Sequence, residues 1–308
     1  MIGSLLRIYA IALNTFREAV RDRILLGVVG LASGVLVFTL ALGELSLDQQ
    51  RRVVEDIGLA SISLFSVLVA IFLGSSLLYK EIERKTLYVI LPRPIDRWEF
   101  LVGKHLGITL TGIDFVKEIG GLQLLVKGQQ ADGDLETYFA IPIGMLALLG
   151  LLVWKARDAT AWSVRWALGA LGAGAVYAST TDVSVPPVLY ALSLNAMEIA
   201  LLAAVALFFG SFSTPFLTGA FTVGVWLVGR SADTMQTIRS RLLGEEIEAL
   251  LHGLARVVPN FNLFVPGRHA LHDAEAATYV ATSLGYGLGY TALALVLASA
   301  IFRKRDFP

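Results

Sequence analysis

The chain has 308 residues, of which 56% are hydrophobic and only 16% are charged, against about 25% charged in an average soluble domain. A water-soluble domain of this size has too small an interior to bury so much apolar surface, so the composition excludes that class and indicates a polytopic membrane protein. The absence of cysteine excludes disulfide frameworks, iron–sulfur centres and thiolate zinc sites. Basic and acidic residues number 25 each, and this balance argues against nucleic acid as a partner.

Residues 1–23 predict a helix that lies in the cytoplasmic interface and leads into the first membrane span as an elbow. Apolar residues recur at helical spacing, and the basic residues lie off that stripe. The stripe consists of Leu6, Tyr9, Leu13, Phe16 and Val20. We expect no cleaved signal peptide, because the segment has neither a long apolar core nor a small-residue cleavage site. The pattern leaves open whether the elbow docks a partner or only anchors the span.

Apolar runs of about 20 residues can cross a bilayer as helices, and such runs predict an all-α fold with eight spans. Pro215 divides one long run into two, because proline cannot continue a helix interior. The seven clearest spans are 24–43, 57–79, 137–154, 166–181, the two halves of 183–229, and 276–302. The eighth, 100–126, carries four charged residues. We include it because an even number of spans places both termini on the same side of the membrane, and because most basic residues then fall on that side.

The basic residues set the expected orientation. With eight spans, sixteen of the 25 Lys and Arg residues fall on one side of the membrane, and the positive-inside rule makes that side the cytoplasm. Both termini and the loop 80–99 are therefore expected inside. A rival arrangement has six spans, with 100–126 or one of the segments near 137–181 lying in the interface.

The predicted spans divide the chain into six regions. They are the cytoplasmic elbow (1–23), a first membrane half with the cytoplasmic loop 80–99 (24–126), an inserted segment with an apparent helical hairpin (127–183), a helix pair (184–230), an extracytoplasmic amphipathic region (231–275), and a last span with a cytoplasmic tail (276–308). In 231–275, apolar residues are interleaved with charges, which predicts one or two amphipathic helices on the outer leaflet. The loop 259–267 has apolar side chains that pack over the helix ends or, alternatively, form a gate or a partner surface.

Sequence motifs for catalysis or cofactor binding are absent. No HExxH or GxSxG motif occurs, and the Gly103-Lys104 pair lacks the first glycine and the Ser or Thr of a phosphate loop. His269 and His272 are three residues apart but have no suitably spaced acidic neighbour for a metal site. The sequence therefore predicts no catalytic, cofactor or metal site and no nucleotide site in this chain itself. Two GxxxG patterns, at 30–34 and 285–289, have helix-packing spacing, which chance also explains in a chain with 29 glycines.

Charged residues inside the predicted spans are informative, because each costs about 2.5–3.5 kcal/mol at the bilayer centre. Glu198 lies near the middle of its span, and Asp114, Lys117 and Glu118 share one helical face. They predict a polar path or a charge pair between helices, with Glu198 and Lys117 as the expected partners. The alternative is that 114–118 lies in the outer interface, while Glu198 is protonated or bonded to a neighbouring hydroxyl.

One block of the sequence closely resembles the permease subunits of ABC-2-type ABC transporters. It runs from Asp56 through GSSLLYKEIERKT (74–86) to LPRPIDRWEFLVGK (91–104). Looser likenesses are NTFREAVRDR (14–23), FGSFSTP (209–215) and IFRKRDF (301–307). The resemblance implies a six-helix permease core, here with two extra helices in 127–183. It also implies two paired permease copies, as a homodimer or heterodimer, in the inner membrane with a separate ABC-type ATPase.

The resemblance further implies a role for the loop 80–99, because the corresponding loop in this family carries a coupling helix that inserts into the ATPase. The positions that match this motif are Glu81, Glu83, Arg84, Thr86, Pro94, Arg97 and Lys104. We therefore expect an export-type permease subunit, not itself an enzyme, whose substrate the sequence does not define. Two alternatives are a membrane component that couples an ATPase to extracytoplasmic assembly partners, and an ion-coupled secondary transporter that uses Glu198 and Asp114.

Overall fold

The computed structural model describes residues 2–46, 49–83, 96–132, 159–181, 183–237 and 244–304, which are almost entirely helical and include no strand. The first six helices are α1 (Ile2–Val20), α2 (Arg23–Leu45), α3 (Gln50–Glu83), α4 (Arg97–Asp132), α5 (Ala159–Ser179) and α6 (Pro186–Gly210). They are followed by α7 (Pro215–Arg230), α8 (Ala232–Thr237), α9 (Gly244–Val257), a short 3₁₀ helix (Phe261–Phe264), α10 (Arg268–His272) and α11 (Ala276–Lys304).

The helix α6 forms the centre of the bundle. It is apolar around its whole circumference, which is the pattern of a helix enclosed by other helices, and most of its side chains are buried. It packs against α3, α4 and α11. By contrast, α2 and α11 leave large apolar side chains exposed, such as Phe38 and Leu288. Such faces suit contact with lipid.

Four described helices are long and apolar enough to cross a membrane: α2, α3, α6 and α11. The structure therefore supports a polytopic membrane protein, but it confirms neither six nor eight spans. The helix α7 has only 16 residues, and the predicted span 137–154 lies outside the described residues. The predicted break at Pro215 is confirmed, since α6 ends at Gly210 and α7 begins at Pro215.

The helices α4 and α5 lie side by side and run in the same direction. Contacts advance together along both, from Glu118 with Trp166 to Gln129 with Tyr177. By this register the first residue of α5 lies about 30 Å before the last residue of α4, at 1.5 Å per residue. That separation is close to the thickness of the hydrocarbon core.

Two glycines allow α4 and α5 to approach this closely. A Cβ atom added at Gly121 would meet the backbone of Ala170, and one added at Gly174 would meet the backbone of Gly121. Backbone atoms cannot move aside as the end of a flexible side chain can. Any larger residue at these positions must therefore push the helices apart.

Replacement of Gly174 by alanine should lower the stability of the protein by about 1–3 kcal/mol, as overpacking typically does. The matched control is Gly172→Ala on the same helix, where an added Cβ faces open space. Since alanine favours a helix interior by about 1 kcal/mol over glycine, the control should be neutral or stabilising. Thermal unfolding in detergent compares the two variants. Equal melting temperatures would contradict the close contact.

The elbow helix α1 packs on the first half of α4 through Gly103 and Gly107. The residues of α1 that are buried against the bundle differ from the apolar stripe that the sequence predicts in the interface. Phe16 is buried, but Leu6 and Tyr9 are 63% and 65% exposed. The buried face consists of Ile8, Ala12, Thr15, Phe16 and Ala19. The two glycines let Ile8, Ile11, Ala12 and Thr15 of α1 approach the backbone of α4 closely. Leu6 and Tyr9 face outward, as in a helix between protein and lipid.

Candidate functional site

The predicted coupling residues lie on both sides of the break between α3 and α4. Glu81 and Glu83 are in the last turn of α3, and Arg97 is the first residue of α4. Lys104 lies two turns further along α4 and is fully buried, 5.9 Å from the centroid of the Phe100 ring. The other three lie outside the described residues, so their role stays a prediction: Arg84, Thr86 and Pro94.

Arg97 joins the start of α4 to the end of α11. Its Nη1 donates hydrogen bonds to the carbonyl oxygens of Phe302 at 2.8 Å and Arg303 at 2.9 Å. The last carbonyls of a helix lack hydrogen-bond donors within the helix and carry partial negative charge. A guanidinium group provides both the donors and the opposite charge. The rings of Phe100 and Phe302 stack beside this contact, with centroids 6.2 Å apart.

Glu99 joins the same turn of α4 to the elbow. Its carboxylate is fully buried and accepts two hydrogen bonds from Arg7, from Nε and Nη2, each at 2.7 Å. Ser4 Oγ donates a third hydrogen bond to it. A bidentate arginine–carboxylate pair fixes geometry as well as charge. The first turn of α4 is therefore attached to both α1 and α11. We call the end of the bundle that holds Arg7, Arg97, Glu99 and Phe302 the coupling end.

The hydrogen bonds from Arg7 lower the pKa of Glu99 from an ordinary value of 4.5 to about 2. A carboxyl group with a lowered pKa stabilises the fold above its unfolded-state pKa, and this stability is lost as the pH falls through the folded-state pKa. The stability difference between the natural protein and Glu99→Gln should be constant above about pH 4.5 and disappear towards pH 2. Thermal unfolding in detergent measures it. A difference that persists at pH 2 would contradict the role of the ion pair.

Glu198 lies in a buried polar cluster that joins α3, α6 and α7. Its carboxylate accepts hydrogen bonds from Ser63 Oγ and Trp226 Nε1, both at 3.1 Å, and lies 3.3 Å from Nη2 of Arg230. Arg230 also donates to Ser63 Oγ at 2.8 Å and to the carbonyl oxygen of Phe261 at 3.1 Å. The Glu198–Arg230 pair thus ties three helices to the 3₁₀ helix at the far end of α7.

The predicted pair of Glu198 with Lys117 is wrong. The cation beside Glu198 is Arg230. The sequence analysis placed this residue at the end of the helix pair 184–230, next to the extracytoplasmic region. The neighbouring hydroxyl of the alternative prediction is present as Ser63, but it acts together with the arginine. One signal was available in the sequence: Trp226 and Arg230 are four residues apart at the end of an apolar run, so both can face one neighbour.

The other charges that were predicted to lie in the membrane are beside a cleft of about 330 Å³ between α2, α4 and α5. Asp114 and Glu118 line this cleft together, as their spacing predicts, and Glu118 accepts a hydrogen bond from Trp166 Nε1 at 2.9 Å. Lys117 is half-buried on the same helix and acts electrostatically on Asp114. Glu198 is not part of this cleft, so the structure brings three of the four predicted charges together. In the described part of the chain, no cluster of three potential metal ligands occurs.

A family model for ABC-2 family transporter proteins matches residues 9–307, nearly the whole chain. The chain therefore belongs to the ABC-2 family of transporter proteins, and the resemblance carried by residues 56–104 is confirmed. No curated protein matches the chain. Together with the four apolar helices that can cross a membrane, the family identifies a multi-pass permease component of an ABC transporter.

Proposed function

We propose that this chain is the membrane subunit of an export-type ABC transporter in the inner membrane, driven by a separate ATPase that binds the loop 80–99. Two copies of a permease chain, identical or related, would pair with two ATPase subunits. The observation that best supports this proposal is the double attachment of the first turn of α4, through Arg97 to α11 and through Glu99 to α1. The chain enters α4 at this turn directly from the loop.

The helix α4 is suited to pass a movement of the loop into the bundle. It contacts α1, α2, α3, α5, α6 and α11, and rigid elements in contact are the means by which coupling is carried between distant sites. A displacement of the loop by an ATPase would therefore act on the elbow, the last span and the central helix at once.

We also propose eight spans, with the coupling end in the cytoplasm. The positive-inside rule supports the orientation, and the parallel packing of α4 and α5 supports the additional crossing between them. The chain has no cysteine, so a single cysteine at Lys155 can be labelled selectively. A membrane-impermeant maleimide should label it in inside-out vesicles but not in intact cells. Labelling from the outside only would contradict the eight-span arrangement.

Co-purification from the native host in a mild detergent tests the proposed function. We expect a P-loop ATPase to accompany the tagged natural chain and to be lost when Glu83, Arg84 and Pro94 are all changed to alanine. The matched control changes Glu246, Glu248 and Arg256 to alanine on α9, away from the loop, and should retain the ATPase. If no ATPase accompanies the natural chain under any nucleotide condition, the proposal is wrong.

A second candidate is a membrane component that couples an ATPase to extracytoplasmic assembly partners and transports nothing. The helix α9 favours it, because Ile247, Leu250, Leu254 and Val257 are exposed on an otherwise charged helix. A transporter should hydrolyse ATP faster when cargo is present, whereas an assembly component should respond only to a protein partner. The gradient-driven alternative fits less well, since the carboxylate of Glu198 is occupied by Arg230.

A further inference from the structure

We propose that the cleft between α2, α4 and α5 is a binding site for a lipophilic cation with a single positive charge. Its role as the site of a transported substrate rests on the proposed function, but the binding itself does not. The cleft volume of about 330 Å³ lies within the range of small-molecule sites, about 300–1,000 Å³.

Asp114 provides the charge that is still available to a ligand. It is only 7% exposed, it lines the cleft, and its Oδ2 has no hydrogen-bond partner among the described residues. Ser163 hydrogen-bonds to the carboxyl group. A buried acceptor left without a partner destabilises the protein, and more so when it is charged. A cation in the cleft would remove this penalty.

The formal charges around the cleft match one positive charge. Asp114 and Glu118 contribute two negative charges, and Lys117 on the same helix offsets one of them without lining the cleft. No lysine or arginine is part of the described cleft wall. Arg165 packs on Trp162 but is exposed and does not line the cleft. The remaining charge of −1 therefore has no counter-charge among the described lining residues.

Aromatic and aliphatic side chains account for the lipophilic character. Trp162, Trp166 and Phe115 line the cleft together with Leu25 and Val29. Tryptophan attracts cations through its ring face, and Trp162 already does so with Arg165, whose Cζ lies 5.0 Å from the ring centroid. Trp166 holds the carboxylate of Glu118 in place through Nε1. A strongly hydrated ion would gain nothing from these apolar walls, whereas an organic cation would.

The position of the cleft gives such a ligand a route of entry. The cleft is lined by Val20 at the end of the elbow and by Leu26 at the start of α2. The elbow contacts α4 at Gly107, two turns before Asp114. In the proposed orientation the edge of the cleft at Val20 and Leu26 faces the cytoplasmic leaflet, whose anionic lipids attract cationic amphiphiles.

Equilibrium dialysis of radiolabelled tetraphenylphosphonium against the purified full-length chain in maltoside detergent tests the site. We expect saturable binding of one ion per chain, weakened at least tenfold by Asp114→Asn and also weakened by Glu118→Gln. The matched control is Asp56→Asn, an exposed carboxylate on α3, which should bind as the natural protein does. Radiolabelled tetraphenylborate, with the same shape and the opposite charge, should show no saturable binding when it is dialysed alone.

Unsaturable binding of tetraphenylphosphonium, unchanged affinity in Asp114→Asn, or saturable binding of tetraphenylborate would overturn the proposal. If Asp114→Asn does not elute as a folded protein in gel filtration, Glu118→Gln decides in the same way. The binding assay needs no ATPase. Failure of the co-purification would therefore contradict the proposed function without affecting the cation site, and failure of the binding assay would do the reverse.

Discussion

Replacement of Arg230 by methionine should destabilise the protein by about 3–5 kcal/mol, the usual consequence of removing one partner from a buried ion pair. Glu198 is fully buried, and Arg230 contacts Ser63 and Phe261 as well as Glu198. The change leaves the carboxylate without its counter-charge and unties α7 from α3 and α6. The apparent unfolding temperature in detergent, compared with that of the natural protein, measures the loss.

A double-mutant cycle separates the ion pair from the packing of the two side chains. Glu198→Gln alone should cost less than Arg230→Met, because Arg230 keeps its hydrogen bonds to Ser63 and Phe261. The double variant should be more stable than the sum of the two single losses predicts, since no unpaired charge remains. Strict additivity would contradict a direct interaction between Glu198 and Arg230.

Replacement of Arg97 by alanine should leave the ATPase bound but reduce chain-stimulated ATP hydrolysis on the order of tenfold. Coupling free energies between sites are typically about 1–3 kcal/mol, and this change removes one of the two attachments at the start of α4. Vanadate-sensitive ATP hydrolysis by the complex in lipid vesicles measures the effect.

The matched variant for this experiment is Arg97→Lys, which retains the charge and one donor towards the α11 carbonyls. It should give an intermediate rate, because an ammonium group cannot reproduce the fork of a guanidinium. Full stimulation in Arg97→Ala, with normal ATPase binding, would show that the end of α11 is not part of the coupling path.

The class of protein and most helix positions were predictable from local features of the sequence. Apolar runs located α2, α3, α6 and α11, and Pro215 separated α6 from α7. The block 56–104 led to the family that matches residues 9–307. These features depend on length, composition and local motifs, which do not require knowledge of which helices are neighbours.

The contacts between helices were harder to predict, because charge type alone does not select a partner. Glu198 stood out as the only charge in its apolar block, but Lys117 and Arg230 were equally suitable cations by chemistry. Only the arrangement of α6 and α7 brings Arg230 to the carboxylate. The attachment of Glu99 to Arg7 joins residues that are 92 positions apart and was missed for the same reason.

The glycines show how a motif gains meaning only from its surroundings. The GxxxG patterns at 30–34 and 285–289 face open space in the structure. The pattern at Gly103 and Gly107, which the sequence analysis did not single out, is the one that packs closely against α1. On α1, Ile8, Ala12 and Thr15 pack at these glycines, whereas Leu6 and Tyr9 stay exposed, and the interfacial position of the elbow stays a prediction.

The most direct test of the central claim is cross-linking from a single cysteine at Thr86, within the loop 80–99, in membranes of the native host. A bifunctional reagent that reacts with this cysteine should give an adduct with a P-loop ATPase, and a cysteine at Glu246 on α9 should not. This result would place the loop against the motor subunit that drives the permease. Labelling of Thr86→Cys by an impermeant reagent outside intact cells, without an ATPase adduct, would contradict the account.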